Sequence, residues 1–152
     1  AEEGDGMRAV SKELSFDVPS GWSVCYDSSE DADYLFVVDG PSYEGVDYSG
    51  SVTIERKPIE KGVKFTETGY LKTLLAQIEE SHEDSYEYLA GDRQYAAVRY
   101  VHTDLGEDGL DVIQFIKIVI KKNVVYIVCA TEPPEWFNLY EDGFNKIVMS
   151  CK

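Results

Sequence analysis

The sequence predicts an α+β fold, in which helices pack on the faces of a central antiparallel sheet. Short runs of alternating or β-branched residues mark strands, and two longer segments repeat apolar residues every three or four positions, as helices do. The elements follow the order strands, helix, strands, helix, without the regular strand–helix alternation of a parallel sheet. At 152 residues, the chain has the size of one domain with a substantial core.

Four strands are predicted before the first helix. Apolar and polar residues alternate over 14–18, and after a Pro-Ser-Gly corner the alternation restarts at Trp22. Proline ends a strand where its missing N–H does no harm, and glycine permits the bend. Two further apolar runs, at 34–38 and 51–56, flank a loop over 39–50 that contains three Gly and no period.

Each of the two predicted helices carries one apolar stripe. The first helix can be capped by Thr66 or Thr68, and its stripe consists of Leu71, Leu74, Leu75 and Ile78. The closing helix tolerates Gly143, which lowers helix propensity by about 1 kcal/mol. Its stripe consists of Phe137, Tyr140, Phe144, Ile147, Val148 and Cys151.

The segment between the helices predicts further strands. A short extended piece over 86–89 is followed by a strand over 94–102 and a polar loop over 103–111. Two long β-branched runs, 112–120 and 124–130, flank a Lys-Lys-Asn turn. Long apolar runs joined by a tight polar turn are typical of a β-hairpin.

The charge of the chain excludes some partners. Its formal net charge is −15, so it repels phosphate backbones and bare anionic membranes, and we do not expect nucleic acid as a partner. The sequence contains no apolar run of 18 residues, so no transmembrane segment is expected in the chain.

The N-terminal residues 1–12 are polar and without a period, which predicts a flexible tether before a single domain over 13–152. The chain begins with Ala1 instead of Met. Removal of a leader from an exported protein would explain such a start, as would a trimmed chain. The hypothesis we retain is an extracytoplasmic protein, either secreted or lipid-anchored.

The chain has three cysteines, at positions 25, 129 and 151. The absence of a CxxC pair, together with only two His, makes a structural zinc site a poor interpretation. Cys129 lies in a predicted core strand and Cys151 on the apolar face of the closing helix. We predict a disulfide between these two, with three buried thiols as the alternative.

Five segments together resemble the PsbP-like superfamily. They are FDVPSGW (16–22), the helix over 70–78, GDRQYAAVRYVHT (91–103), QFIKIVIKKNVVYIVCAT (114–131) and FNKIVMSCK (144–152). The resemblance covers residues 13–152 and implies an antiparallel sheet sandwiched by helices. The superfamily includes a Ran-binding nuclear import factor, photosystem II accessory proteins and exported or lipid-anchored bacterial proteins. The resemblance implies an accessory or binding role, and no catalytic residues carry over to this chain.

Two acidic clusters are candidate Ca²⁺ sites, because hard cations bind several carboxylate oxygens. One lies in the loop after the second strand, and the other lies in the loop that follows His102. Neither has the spacing of an EF-hand, so a solvated acidic loop is the alternative. The candidate ligands are Asp27, Glu30, Asp31, Asp33, Asp104 and Asp108.

The Gly-rich loop over 39–50 is the candidate binding edge. Its Tyr43 and Tyr48, with Phe36 nearby, could offer aromatic contact area to a partner. The alternative is that the two tyrosines fold back as a lid on the core.

The function predicted from the sequence is that of a non-catalytic accessory or binding domain, secreted or anchored at the cell surface. An alternative is a hydrolase-like enzyme whose site combines dispersed acidic residues with His102. A weaker alternative is a protein that binds a small GTPase. The protein or small ligand that is bound is not identified by any motif.

Overall fold

A computed structural model describes residues 7–11, 13–27, 34–46, 49–102 and 109–152. It confirms the predicted α+β class. The strands are β1 (Met7–Val10), β2 (Ser15–Val18), β3 (Ser23–Tyr26), β4 (Tyr34–Asp39), β5 (Ser51–Pro58), β6 (Glu87–Gly91), β7 (Tyr95–His102), β8 (Leu110–Lys121) and β9 (Val124–Glu132). The helices are α1 (Glu67–Ser81) and α2 (Phe137–Ser150).

The main sheet has seven antiparallel strands in the order β3-β4-β5-β9-β8-β7-β6. The predicted β8–β9 hairpin lies at its centre. Lys122 and Asn123 at its turn both have positive φ, 49° and 64°. Two successive positive φ values match the twist of the flanking strands. Among the described helices, none is long and apolar enough to cross a membrane.

One face of the sheet packs against α2, and the corner predicted near the start of the chain braces this packing. The corner is a turn in which the Trp22 N–H donates to the Pro19 carbonyl, with Gly21 at φ +84°. The Trp22 ring packs edge-on against Tyr140 and Phe144 of α2. A Cβ on Gly143 would lie 2.3 Å from the Trp22 ring, so this glycine is required by close packing.

The opposite face packs against α1, which Thr66 caps by accepting a hydrogen bond from the Gly69 N–H at 2.9 Å. Buried Leu71 anchors the helix over β7 and β8, together with half-buried Leu74, Leu75 and Ile78. Because α1 packs mainly against β8, the part of this face formed by β5 is left largely open.

The prediction of a flexible tether over 1–12 is wrong for residues 7–10, which form β1 and pair with β2. Glu13 ties this hairpin to the main sheet. Its Oε1 accepts hydrogen bonds from Arg56 Nε and the Tyr126 hydroxyl, both at 2.7 Å. Burial raises the pKa of the Glu13 carboxyl, but these two hydrogen bonds and the charge of Arg56 outweigh it, so the net pKa is lowered.

The end of α2 is held by the sheet as well. The Lys117 ammonium group on β8 donates to the carbonyls of Met149 and Cys151 at 3.2 and 2.8 Å. A cation at a helix C-terminus is favoured by the helix dipole. Beyond the helix, Lys152 and Ser15 exchange two backbone hydrogen bonds at 3.0 Å.

The predicted Cys129–Cys151 disulfide is wrong, because all three cysteines are free thiols. Cys129 packs against the core under α1, whereas Cys151 belongs to the core under α2. The sheet itself therefore separates the two sulfur atoms. Burial raises the pKa of each of these two thiols to about 11, while Cys25 on the edge strand β3 is exposed.

The α2-side core also buries a carboxyl group, that of Glu132 at the end of β9. Its exposed fraction is 0%, and neither oxygen has a hydrogen-bond partner among the described residues. Burial raises its pKa to about 8. A solvated Glu has a pKa of about 4.3, so the folded state binds this proton more tightly than the unfolded state does.

We predict that Glu132→Gln raises the free energy of unfolding at pH 8 by an amount on the order of 1 kcal/mol. The wild type should lose stability as the pH rises from about 4.3 to about 8, because over this range the unfolded state releases the Glu132 proton while the folded state keeps it. The free energy of unfolding of the variant should change little over this pH range. Urea unfolding at pH 5 and pH 8 measures the free energy of unfolding of the wild type and of the variant. The exposed Glu135→Gln substitution is the control. A wild-type curve as flat as that of the variant would contradict the prediction.

We also predict that an alkylating reagent labels Cys25 first in the folded protein, since Cys151 is buried, Cys129 is only partly exposed, and both have raised pKa values. Unfolding without reductant should expose all three thiols, as counted by mass spectrometry. The Cys25→Ser variant should lose this fast phase of labelling while folded. Recovery of a single reactive thiol after unfolding would instead indicate a disulfide.

Candidate functional site

The candidate site is a groove of about 340 Å³ on the α1 face of the sheet. It lies where α1 stops covering the strands, so one wall is helical and the floor is sheet. Clefts that bind small molecules have volumes of about 300–1,000 Å³. The lining residues come from six elements and are Tyr34, Ser51, Thr53, Glu55, Lys57, Leu74, Ile78, His102, Gln114, Ile116, Ile127, Cys129 and Thr131.

The two sides of the groove differ in polarity. Successive side chains of a strand point to opposite faces, so β5 presents every second residue to the groove, from Ser51 to Lys57. This row is polar throughout: Ser51, Thr53, Glu55 and Lys57. The opposite side is apolar, because Leu74 and Ile78 of α1 lean over Ile116 and Ile127. The groove is therefore amphipathic across its width.

A hydrogen-bonded chain of side chains forms one end of the floor. The buried Tyr100 hydroxyl donates to Gln114 Oε1 at 2.8 Å, and Gln114 Nε2 donates to Thr131 Oγ1 at 3.2 Å. Thr131 Oγ1 lies 3.7 Å from Cys129 Sγ. The strand register explains the arrangement, because Gln114 pairs with Thr131 across β8 and β9. Each member is thus held in place by its neighbour.

The ionisable groups of the groove are not arranged as an activated nucleophile. Burial raises the pKa of the Cys129 thiol to about 11, so the nucleophilic thiolate is scarce at neutral pH. The Glu55 carboxylate lies 3.6 Å from the Lys57 ammonium group. His102 lines the same groove and stacks on the Tyr100 ring, with 5.7 Å between ring centroids. Among the described residues, the Cys129 thiol contacts the Thr131 hydroxyl and not a base.

The predicted binding edge is only partly at the surface. Phe36 is 3% exposed and packs on Phe16 in the α2-side core, so its assignment to a binding surface is wrong. Tyr43 is 42% exposed, and its ring lies edge-on to Tyr140 at 5.6 Å. Tyr48 lies outside the described residues.

The loop over 39–50 is anchored by α2. The Tyr140 hydroxyl donates to the Pro41 carbonyl at 2.8 Å. This contact matches the lid on the core that we considered as the alternative, while Tyr43 keeps part of its ring at the surface. The binding edge over 39–50 stays a prediction for Tyr43 and Tyr48.

The predicted Ca²⁺ ligands fall mostly outside the described residues. Of the six, only Asp27 is described, and it is exposed. The neighbouring Asp111 pairs with Arg99 at 2.7 Å. Within the described part of the chain, no group of three His, Cys, Asp or Glu could hold a metal ion. Calcium binding by Asp27, Glu30, Asp31, Asp33, Asp104 and Asp108 stays a prediction.

Sequence reasoning missed the groove residues Gln114, Thr131 and Thr53. The signal was the presence of polar side chains inside otherwise apolar or β-branched runs, as in QFIKIVI and VCATE. Such residues are expected to have hydrogen-bond partners when they are buried. The sequence does not say which strand supplies the partner, so the chain from Tyr100 to Thr131 is visible only in three dimensions.

Comparison with known proteins adds evidence about the fold. No family model matches the sequence, and no curated protein sequence does. The structure is similar to that of cyanobacterial PsbP from Synechocystis, with 12% identity, a TM-score of 0.54, and coverage of 100% of this chain and 96% of the other.

Two further solved structures are similar over nearly the whole chain. The Ran-binding protein Mog1p of Saccharomyces cerevisiae has 9% identity and a TM-score of 0.59, with 97% and 95% of the two chains covered. LpqN, involved in cell envelope biogenesis of Mycobacterium tuberculosis, has 10% identity and a TM-score of 0.54, with 97% and 84% covered. The expectation from the sequence is confirmed: the chain has the PsbP-like fold.

Proposed function

We propose that this protein is a non-catalytic accessory domain that binds a small ligand in the groove between α1 and β5. The observation that carries the proposal is the amphipathic groove, which has apolar Leu74 and Ile78 on one side and the hydrogen-bonded Gln114 and Thr131 in its floor. A mostly apolar cleft with a few fixed polar groups is the usual form of a small-molecule site.

The hydrolase-like alternative has less support. A catalytic site needs a nucleophile or base with a pKa near the working pH. Burial raises the pKa of the Cys129 thiol instead, and Glu55 is paired with Lys57. His102, which this alternative requires, also lines the groove.

An extracytoplasmic location, secreted or lipid-anchored, belongs to the same proposal. LpqN, which shares the fold, is described as involved in cell envelope biogenesis, and this supports it. The fold of Mog1p is equally similar, and that protein is Ran-binding. A shared fold does not transfer a partner, so the proposal rests on the groove and not on either relative.

We predict that filling the groove abolishes ligand binding without unfolding the protein. Thr53→Trp places a large ring on the groove floor, and Trp is well tolerated in strands. The probes are octyl glucoside, octanamide and octanoate, and amide NMR spectra report binding. At least one probe should shift the signals of Ile78 and Cys129 in the wild type and leave them unmoved in the variant.

Lys72→Trp is the matched control, since it adds the same ring to an exposed position of α1 outside the groove. This variant should bind as the wild type does. If no probe moves the groove signals of the wild type, or if the shifts persist in Thr53→Trp, the groove is not the binding site.

A further inference from the structure

The direction of the hydrogen bonds in the groove floor is set by Tyr100. A phenol hydroxyl is a better donor and a poorer acceptor than an aliphatic hydroxyl. Tyr100 therefore donates to the carbonyl oxygen of Gln114, as the structure has it at 2.8 Å. This turns the amide NH₂ of Gln114 toward Thr131, whose hydroxyl oxygen accepts at 3.2 Å.

This direction leaves Thr131 and Gln114 each with a proton to donate to a ligand. Because Thr131 Oγ1 accepts from Gln114, its own proton is available for donation. Its contact with Cys129 Sγ at 3.7 Å is a weak one in either direction, because a thiol is a weak donor and a weak acceptor. Gln114 Nε2 also carries a second proton beyond the one that Thr131 receives. A ligand group at this end of the groove is therefore best bound as a hydrogen-bond acceptor.

The rest of the groove selects against charge. Thr131 pairs with Ser51 and Ile127 pairs with Glu55, so the floor extends about 13 Å from the donors to Ile127 at about 3.3 Å per residue. At its far end Glu55 and Lys57 neutralise each other. The net charge of −15 disfavours an anionic ligand.

We infer that the groove binds a neutral molecule with an apolar chain and a carbonyl head, such as an amide or ester, and that Thr131 donates a hydrogen bond to that carbonyl. The apolar chain of the ligand lies between Ile127 of the floor and the α1 residues Leu74 and Ile78. This inference rests on the proposed function, because it names the ligand class for the same groove.

The test compares two probes that share an eight-carbon chain and a dimethylated nitrogen. N,N-dimethyloctanamide carries a carbonyl acceptor and no N–H, whereas N,N-dimethyloctylamine is protonated at neutral pH and can only donate. Amide NMR titration measures the affinity of each at the same ionic strength. The amide should bind in the groove more tightly than the amine, although the negative protein attracts the amine electrostatically.

Two matched variants assign the hydrogen bond. Thr131→Val removes the hydroxyl and keeps the branched shape, and it should weaken amide binding about five-fold, as expected for the loss of one hydrogen bond. Thr73→Val makes the same change at an exposed position of α1 outside the groove, and it should leave the affinity within about two-fold. Thermal unfolding of both variants checks that they are folded.

The outcomes separate the two proposals. Groove binding of the amine as tight as that of the amide, or an amide affinity unchanged by Thr131→Val, would overturn the ligand class and leave the groove as a binding site. Failure of both probes to shift the groove signals, with octyl glucoside shifting them, would also overturn the ligand class alone. Failure of all the named probes would overturn the proposed function with it.

Discussion

The organisation of this protein depends on a mismatch in width between its sheet and its first helix. Seven strands at a spacing of about 4.8 Å form a sheet about 29 Å wide, whereas a helix with its side chains is about 10–12 Å across. On one face α2 shares the covering with β2. On the other face α1 lies against β8, and the uncovered β5 must carry polar side chains. The groove lies at the boundary between the strands that α1 covers and the uncovered strand β5. Its polarity follows from that geometry.

Much of the fold could be predicted from the sequence because its signals are local. The stripe from Leu71 to Ile78, the Thr66 cap and the Lys-Lys-Asn turn each depend on residues a few positions apart. The face to which a strand residue points is not local information, since it depends on where neighbouring strands and helices lie. This is why the sequence predicts a disulfide between Cys129 and Cys151, which the sheet separates, and assigns the buried Phe36 to a binding surface.

The site could be predicted less well than the fold, because its residues meet only through strand pairing. Gln114 and Thr131 are 17 positions apart, and Tyr100 reaches them from a third strand. In sequence each is one polar residue in a strand. In the structure the three side chains are linked by hydrogen bonds that run in one direction. That direction indicates which hydrogen-bonding group a ligand needs, which the amino-acid composition does not. The fold is shared with proteins described in quite different terms, so the groove carries the functional argument here.

The contact between Trp22 and Gly143 has an evolutionary consequence. The helix accepts a poor helix former at position 143 because the indole ring leaves no space for a Cβ. The two positions should therefore covary among homologous sequences. A side chain larger than hydrogen at 143 is compatible with this packing only where position 22 carries something smaller than tryptophan. A larger residue at 143 alone would force α2 away from the corner, whereas a smaller residue at 22 alone would leave a cavity there.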